Sequence, residues 1–209
     1  MISAHPDDEV IGMGATIKKL SLTNKIWLCV VSEGASAQYS DKKMIKVRRD
    51  ACKKSSKILG ISKIQFLDYP DMRLDSVSHL EINKELEKII RKLKPKIVYS
   101  PPSHDLNKDH QKVFESSLVV TRPLASSVKS LLCYELPGPV REPFHPSVYE
   151  NIEKEFSHKI KAFKMYKTEV MKFPHPRSIK AIENLAIQRG VESSLKMAES
   201  FQLIRSIEE

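Results

Sequence analysis

Two histidines and a set of carboxylates give this sequence its chemistry. His5-Pro6-Asp7-Asp8-Glu9 stands at the amino end, and Asn107-Lys108-Asp109-His110 stands midway along the chain. His5 and Asp8 are three residues apart in a turn leading into a helix, so an imidazole and a carboxylate can meet one cation. His110 supplies a third donor. Two imidazoles and one carboxylate, with a position left for water, form the catalytic rather than the structural pattern for zinc. Ferrous iron takes the same donors. Asp7, next to a ligand, is suited to take a proton from water whose pKa zinc lowers to about 7. The plainer alternative is capping: Asp7 or Asp8 at a helix beginning near Glu9, and Asp109 at the helix that carries His110. His79 and His158 read as solvent-facing helix residues, and His145, beside Pro146, as a loop residue.

These residues need elements to hold them. Short β-rich runs at residues 26–31, 64–69, 97–100 and 131–135 alternate with amphipathic stretches at 10–22, 42–59, 77–93 and 109–121. Leu59-Gly60 reads as a helix stop, and Lys94-Pro95 as a breaker. Such alternation predicts an α/β fold: a Rossmann-like, mostly parallel sheet with helices on both faces and right-handed crossovers. Only Met1-Ile2-Ser3-Ala4 precedes the first polar cluster, which is short for an opening strand. From about Ser147 the pattern predicts helices and no strand, one over 148–172 and another from the cap Ser178 through Arg205, with Gly190 as a kink or stop. The chain is therefore expected to be one domain over 1–209, with an α/β body over 1–135 and a loop and helical C-terminal tail over 136–209.

The polar clusters follow the strands. His5–Glu9 follows the first, residues 32–36 the second, Pro70-Asp71-Met72-Arg73 the third, and residues 101–110 the fourth. In an open parallel sheet the carboxyl ends of the strands share one edge, where ligands bind. All four clusters are expected there.

Composition narrows the class. The 209 residues are 41% hydrophobic and 29% charged, ordinary for a globular domain. Three scattered cysteines exclude a disulfide framework and favour a reducing, cytoplasmic setting. No apolar run reaches the ~20 residues of a transmembrane helix. Lys and Arg total 35 against 26 Asp and Glu, a net charge of +9. That balance opens a reading as a basic nucleic-acid-binding domain. Against it stand few aromatics (7%), scattered lysines, and no zinc-finger spacing. Nucleic acid is not the expected partner.

Ala4-His5-Pro6-Asp7-Asp8-Glu9 after a first strand resembles the signature of the PIG-L/LmbE family of metal-dependent deacetylases. Asp109-His110 is similar to the family's second signature. Residues 30–36, Pro70–Leu74 and the tail segment Phe173-Pro174-His175-Pro176-Arg177-Ser178 extend the likeness over most of the chain. The resemblance implies a zinc-dependent hydrolase that removes acetyl from an N-acetylglucosamine-type sugar or conjugate. A non-sugar amide is the alternative substrate, because a fold and a metal site do not fix the amide. It implies His5, Asp8 and His110 as metal ligands, Asp7 as general base, and Arg48 and Asp71 toward substrate. Many relatives carry a histidine where this chain has Asn107. Asparagine can hydrogen-bond an oxyanion but transfers no proton, so His175 is expected as the catalytic acid, ahead of His104. The positive charge then suits a phosphorylated, nucleotide-linked or lipid-linked sugar, and the tail suits packing in a homo-oligomer.

Overall fold

The computed structural model describes residues 1–208. The chain runs β1 (Ile2–Ser3), α1 (Asp8–Leu20), β2 (Trp27–Ser32), α2 (Lys43–Leu59), β3 (Lys63–Tyr69), a short 3-10 turn (Leu74–Ser76), α3 (His79–Leu93), β4 (Ile97–Ser100), α4 (Lys108–Val120) and β5 (Ser130–Tyr134). It ends with β6 (Val148–Asn151), α5 (Phe156–Phe163), α6 (Ile179–Glu192) and β7 (Ala198–Ser206). β1, β2 and β3 pair in parallel, as do β4 and β5. The hydrogen-bonded ladders are two, β3-β2-β1 and β4-β5-β7-β6, and β1 lies beside β4, so the strands run 3-2-1-4-5-7-6 across the molecule. This is the expected doubly wound α/β arrangement.

Strand alternation divides the core in two. Leu28 and Val30 of β2 face α1, α2 and α5, where Val10, Ile17, Cys52, Leu59 and Phe163 are buried. Cys29 and Val31 face α3 and α4, against Leu86, Ile90, Val113 and Val120. Gly60 ends α2 at φ 82°, as its sequence position predicts. The thiols of Cys29, Cys52 and Cys133 are buried and free, and burial pushes Cys29 and Cys133 up to about 12. A thiolate-specific reagent is therefore expected to leave all three cysteines unmodified over minutes in native buffer and to modify all three in denaturant. Rapid native labelling would contradict this packing.

The tail differs from its expected form. Residues 148–172 are not one helix: β6 occupies Val148–Asn151 and α5 only Phe156–Phe163. Ser178 does cap α6, accepting from the Ala181 amide at 3.1 Å. The helix stops at Glu192, and Ala198–Ser206 becomes β7, antiparallel to β5 and β6. A non-local partnership overrides helix propensity here. Gly190 allows the reversal by close approach, since a Cβ there would sit 2.7 Å from the Leu195 carbonyl. The tail is thus part of the sheet. No helix among the described residues is long and apolar enough to cross a membrane.

Candidate metal centre

β1 delivers the first cluster. The Ser32 amide donates to the Ala4 carbonyl at 2.9 Å, and Arg48 Nη2 donates to the Pro6 carbonyl at 2.8 Å. Gly34, at φ 67°, lets the second-strand loop lie against Pro6; a Cβ there would stand 2.3 Å from Pro6 Cδ. Gly34→Ala is therefore expected to destabilise the protein by about 1–3 kcal/mol, measured by urea unfolding. A change within experimental error would show that this loop contact does not constrain the turn.

The turn brings the expected ligands together. His5 Nδ1 lies 3.1 Å from His110 Nε2 and 3.6 Å from Asp8 Oδ2, and His110 Nε2 lies 3.4 Å from Asp8 Oδ1. Each of the three offers one donor atom to a common point. All three are buried. Capping does not explain the carboxylates. Asp7 occupies the cap position of α1 but makes no capping bond, and Asp8 Oδ2 accepts from the His5 amide at 2.8 Å. α4 is capped by Asn107, whose Oδ1 accepts from the Asp109 amide at 2.9 Å.

The rings are held from behind. His5 Nε2 is 3.1 Å from Asp109 Oδ2 and 3.3 Å from Asp71 Oδ1, while His110 Nδ1 is 2.7 Å from Asp105 Oδ2. A carboxylate behind each ring favours the tautomer that turns a lone pair inward. Two lone pairs 3.1 Å apart need a cation between them or a proton on one. The carboxylates overcome the effect of burial and push His5 up to about 10 and His110 up to about 9. The pocket thus demands positive charge, and its donor set fits a divalent metal.

Asp7 stands apart from this cage. It is 1% exposed, its φ is 127°, and Oδ2 has no hydrogen-bond partner. Burial raises its pKa to about 6, against the pull of Arg48 and Arg177. Arg48 Nη2 is 3.5 Å from Asp7 Oδ1, and Arg177 Nη1 is 3.9 Å from Oδ2. Buried Glu169 pairs with both arginines.

Several sequence-predicted roles look different in place. Arg48 is 3% exposed and turned to Pro6, Asp7 and Glu169, so it braces the Asp7 turn from within. Asp71 is buried under His5, and its amide is held by Glu33 at 3.1 Å. Asn107 is half-buried with its oxygen committed to the α4 cap. His175 is exposed on the turn before α6, and its Nδ1 accepts from the Arg177 amide at 3.0 Å. The sequence gives no role to Asp105, Glu169 and Arg177, and offers Asp109 only as a cap or as part of the Asp109-His110 signature. Asp109 instead accepts from the Met72 and Leu74 amides at 2.8 and 3.0 Å while facing His5, tying the third-strand loop to the centre. No spacing rule flags these residues; their only signal is that they lie in the strand-end loops and the tail turn.

Comparison with known proteins shows the family. Residues 1–120, which hold His5, Asp7, Asp8 and His110, match the family model PIG-L, GlcNAc-PI de-N-acetylase. The chain belongs to the PIG-L family. One relative of this PIG-L chain, from Escherichia coli (strain K12), is named as an uncharacterized deacetylase, YaiS. It is 30% identical over 176 residues, 80% of this chain and 89% of that one. Another is the diacetylchitobiose deacetylase of Thermococcus kodakarensis, 35% identical over 105 residues, 48% of this chain and 39% of that one. Among solved structures, the N,N'-diacetylchitobiose deacetylase of Pyrococcus horikoshii superposes with a TM-score of 0.82 at 23% identity, covering 98% of this chain and 82% of that one. The PIG-L fold therefore extends through the tail, beyond the matched residues.

Proposed function

We propose that this protein is a zinc-dependent N-deacetylase that hydrolyses the acetamide of an N-acetylglucosamine-type sugar. The observation that carries the reading is the convergence of His5 Nδ1, Asp8 and His110 Nε2 on one point. A buried carboxylate with a free oxygen, Asp7, follows in the same turn. Family membership and the names of the relatives support the substrate class.

A divalent metal held by His5, Asp8 and His110 would polarise the acetamide carbonyl and acidify the attacking water. Asp109 and Asp105 fix the two ring tautomers so that each imidazole binds through one nitrogen. Asp7 Oδ2 takes the proton from water as the tetrahedral intermediate forms. Arg48 keeps that carboxylate oriented, and Glu169 keeps Arg48 in place. Asn107 can offer only a hydrogen bond. His175 is the proposed proton donor to the leaving amine, reached through the exposed turn that also carries Arg177. The products are acetate and a free amine.

The test is acetate release with zinc present, from N-acetylglucosamine, diacetylchitobiose, a phosphorylated N-acetylglucosamine and a set of non-sugar acetamides. Turnover of the sugars, fastest for the phosphorylated one, supports the reading and explains the +9 charge. Turnover confined to the non-sugar amides would replace the substrate class while leaving the metal centre intact.

A further inference from the structure

Glu9 is fully buried one residue beyond Asp8, and no step of the proposed reaction uses it. A carboxylate that deep needs its oxygens paired. Oε2 accepts from the Asp7 amide at 3.0 Å, and Oε1 accepts from the Tyr166 hydroxyl. Tyr166 is equally buried and lies 157 residues away in sequence. It stands in the turn after α5, where its carbonyl accepts from the Glu169 amide at 2.8 Å. A carboxylate in the first turn of a helix commonly serves the helix alone. A hydroxyl brought from the tail onto that carboxylate is no part of such a local cap.

What Glu9 holds is the backbone of Asp7. Asp7 sits at φ 127°, a conformation that a residue with a side chain keeps only when its surroundings impose it. Its carbonyl accepts from the Val10 and Ile11 amides at 3.1 and 3.0 Å, and its amide donates to Glu9. With the peptide groups on both sides tied, the direction in which the side chain leaves the backbone is set. The carboxylate itself is gripped loosely. Oδ2 accepts no hydrogen bond, and the guanidinium contacts of 3.5 and 3.9 Å are longer than hydrogen bonds. The aim of the carboxylate therefore depends chiefly on the backbone that carries it.

We infer that Tyr166, acting through Glu9, is a positioning residue for Asp7: its hydroxyl fixes the Glu9 carboxylate, which fixes the Asp7 peptide and so the aim of the base. The inference rests on the reading of Asp7 as the base. It gives the tail turn two grips on one residue. Tyr166 reaches the Asp7 backbone through Glu9, and Glu169 pairs with the two arginines that face the Asp7 side chain. It also gives a part in the reaction to chain beyond residues 1–120, the span of the family match.

The test compares kcat per bound zinc in variants of the full chain. Tyr166→Phe keeps the ring and is expected to lose about ten- to a hundredfold in kcat, with the KM and zinc stoichiometry of the parent. Glu9→Gln still accepts from the Asp7 amide and can donate to the Tyr166 oxygen, so near-parental kcat is expected. Glu9→Ala loses both contacts, and adding Tyr166→Phe to it is expected to cost nothing further, because the hydroxyl acts only through that carboxylate. A purely stabilising role would lower the zinc-binding fraction and leave kcat per zinc unchanged, which would overturn the inference. So would losses that multiply in the double variant. A second readout needs no turnover. In metal-free protein the Asp7 amide is expected to exchange its hydrogen about fivefold faster, or more, in Tyr166→Phe than in the parent, with the Val30 amide of β2 unchanged. Equal exchange at Asp7 would overturn the inference even with an inactive parent. Failure of the functional reading shows differently, as a parent that releases no acetate from any amide.

Discussion

Asp7→Asn is expected to bind zinc as tightly as the parent and to lose about a hundred- to ten-thousand-fold in kcat, with KM little changed. Asp7 is not one of the converging donors, so removing its charge leaves the cage intact. Its buried Oδ2 accepts no hydrogen bond, and Glu169 still pairs with Arg48 and Arg177 when the Asp7 charge is removed, so the isosteric substitution acts chiefly on proton acceptance. Asparagine also tolerates the positive φ that Asp7 adopts better than a branched residue would. The parent should show the matching pH dependence. Burial holds Asp7 protonated up to about pH 6, so kcat/KM falls as pH drops through that region and the base is lost. A cation held by neighbouring Asp8 pulls the limb lower, which makes pH 6 its upper bound. An Asp7→Asn enzyme with parental kcat would remove Asp7 as the base.

The second large effect is on metal binding. His110→Ala is expected to abolish stoichiometric zinc binding, seen by equilibrium dialysis, while the helical signal of the protein persists. Two donors then remain where three converged. Asp105→Ala, one step removed, is expected to weaken zinc by about 10–100-fold through loss of the 2.7 Å contact to His110 Nδ1. The ordering separates a ligand from a residue that orients one. Equal affinity in His110→Ala and the parent would place the metal elsewhere.

Much of this centre is legible in the sequence because parallel strands oblige their following loops to meet at one edge. Once residues 26–31, 64–69 and 97–100 are read as strands, His5, Asp71 and His110 must converge, and they do. The tail is less legible for a physical reason. β7 is held by pairing with β5 and β6, segments far away in sequence, while its residues continue a helical composition. Helix ends depend on local sequence and are legible at Gly60 and Ser178. The brace around Asp7 is non-local in the same way. Glu169 and Arg177 come from the tail to meet Arg48 of α2, and each alone reads as a surface charge. Arg48 itself is turned inward by burial that no spacing announces.

The central claim is that one divalent metal on His5, Asp8 and His110 activates water for removal of an acetyl group. Zinc titration of metal-stripped protein, with acetate release from diacetylchitobiose and from phosphorylated N-acetylglucosamine as the readout, tests it most directly. The account predicts that acetate release rises with added zinc, levels off at one equivalent per chain, and is abolished by chelator. Acetate release that is indifferent to zinc and chelator would contradict it.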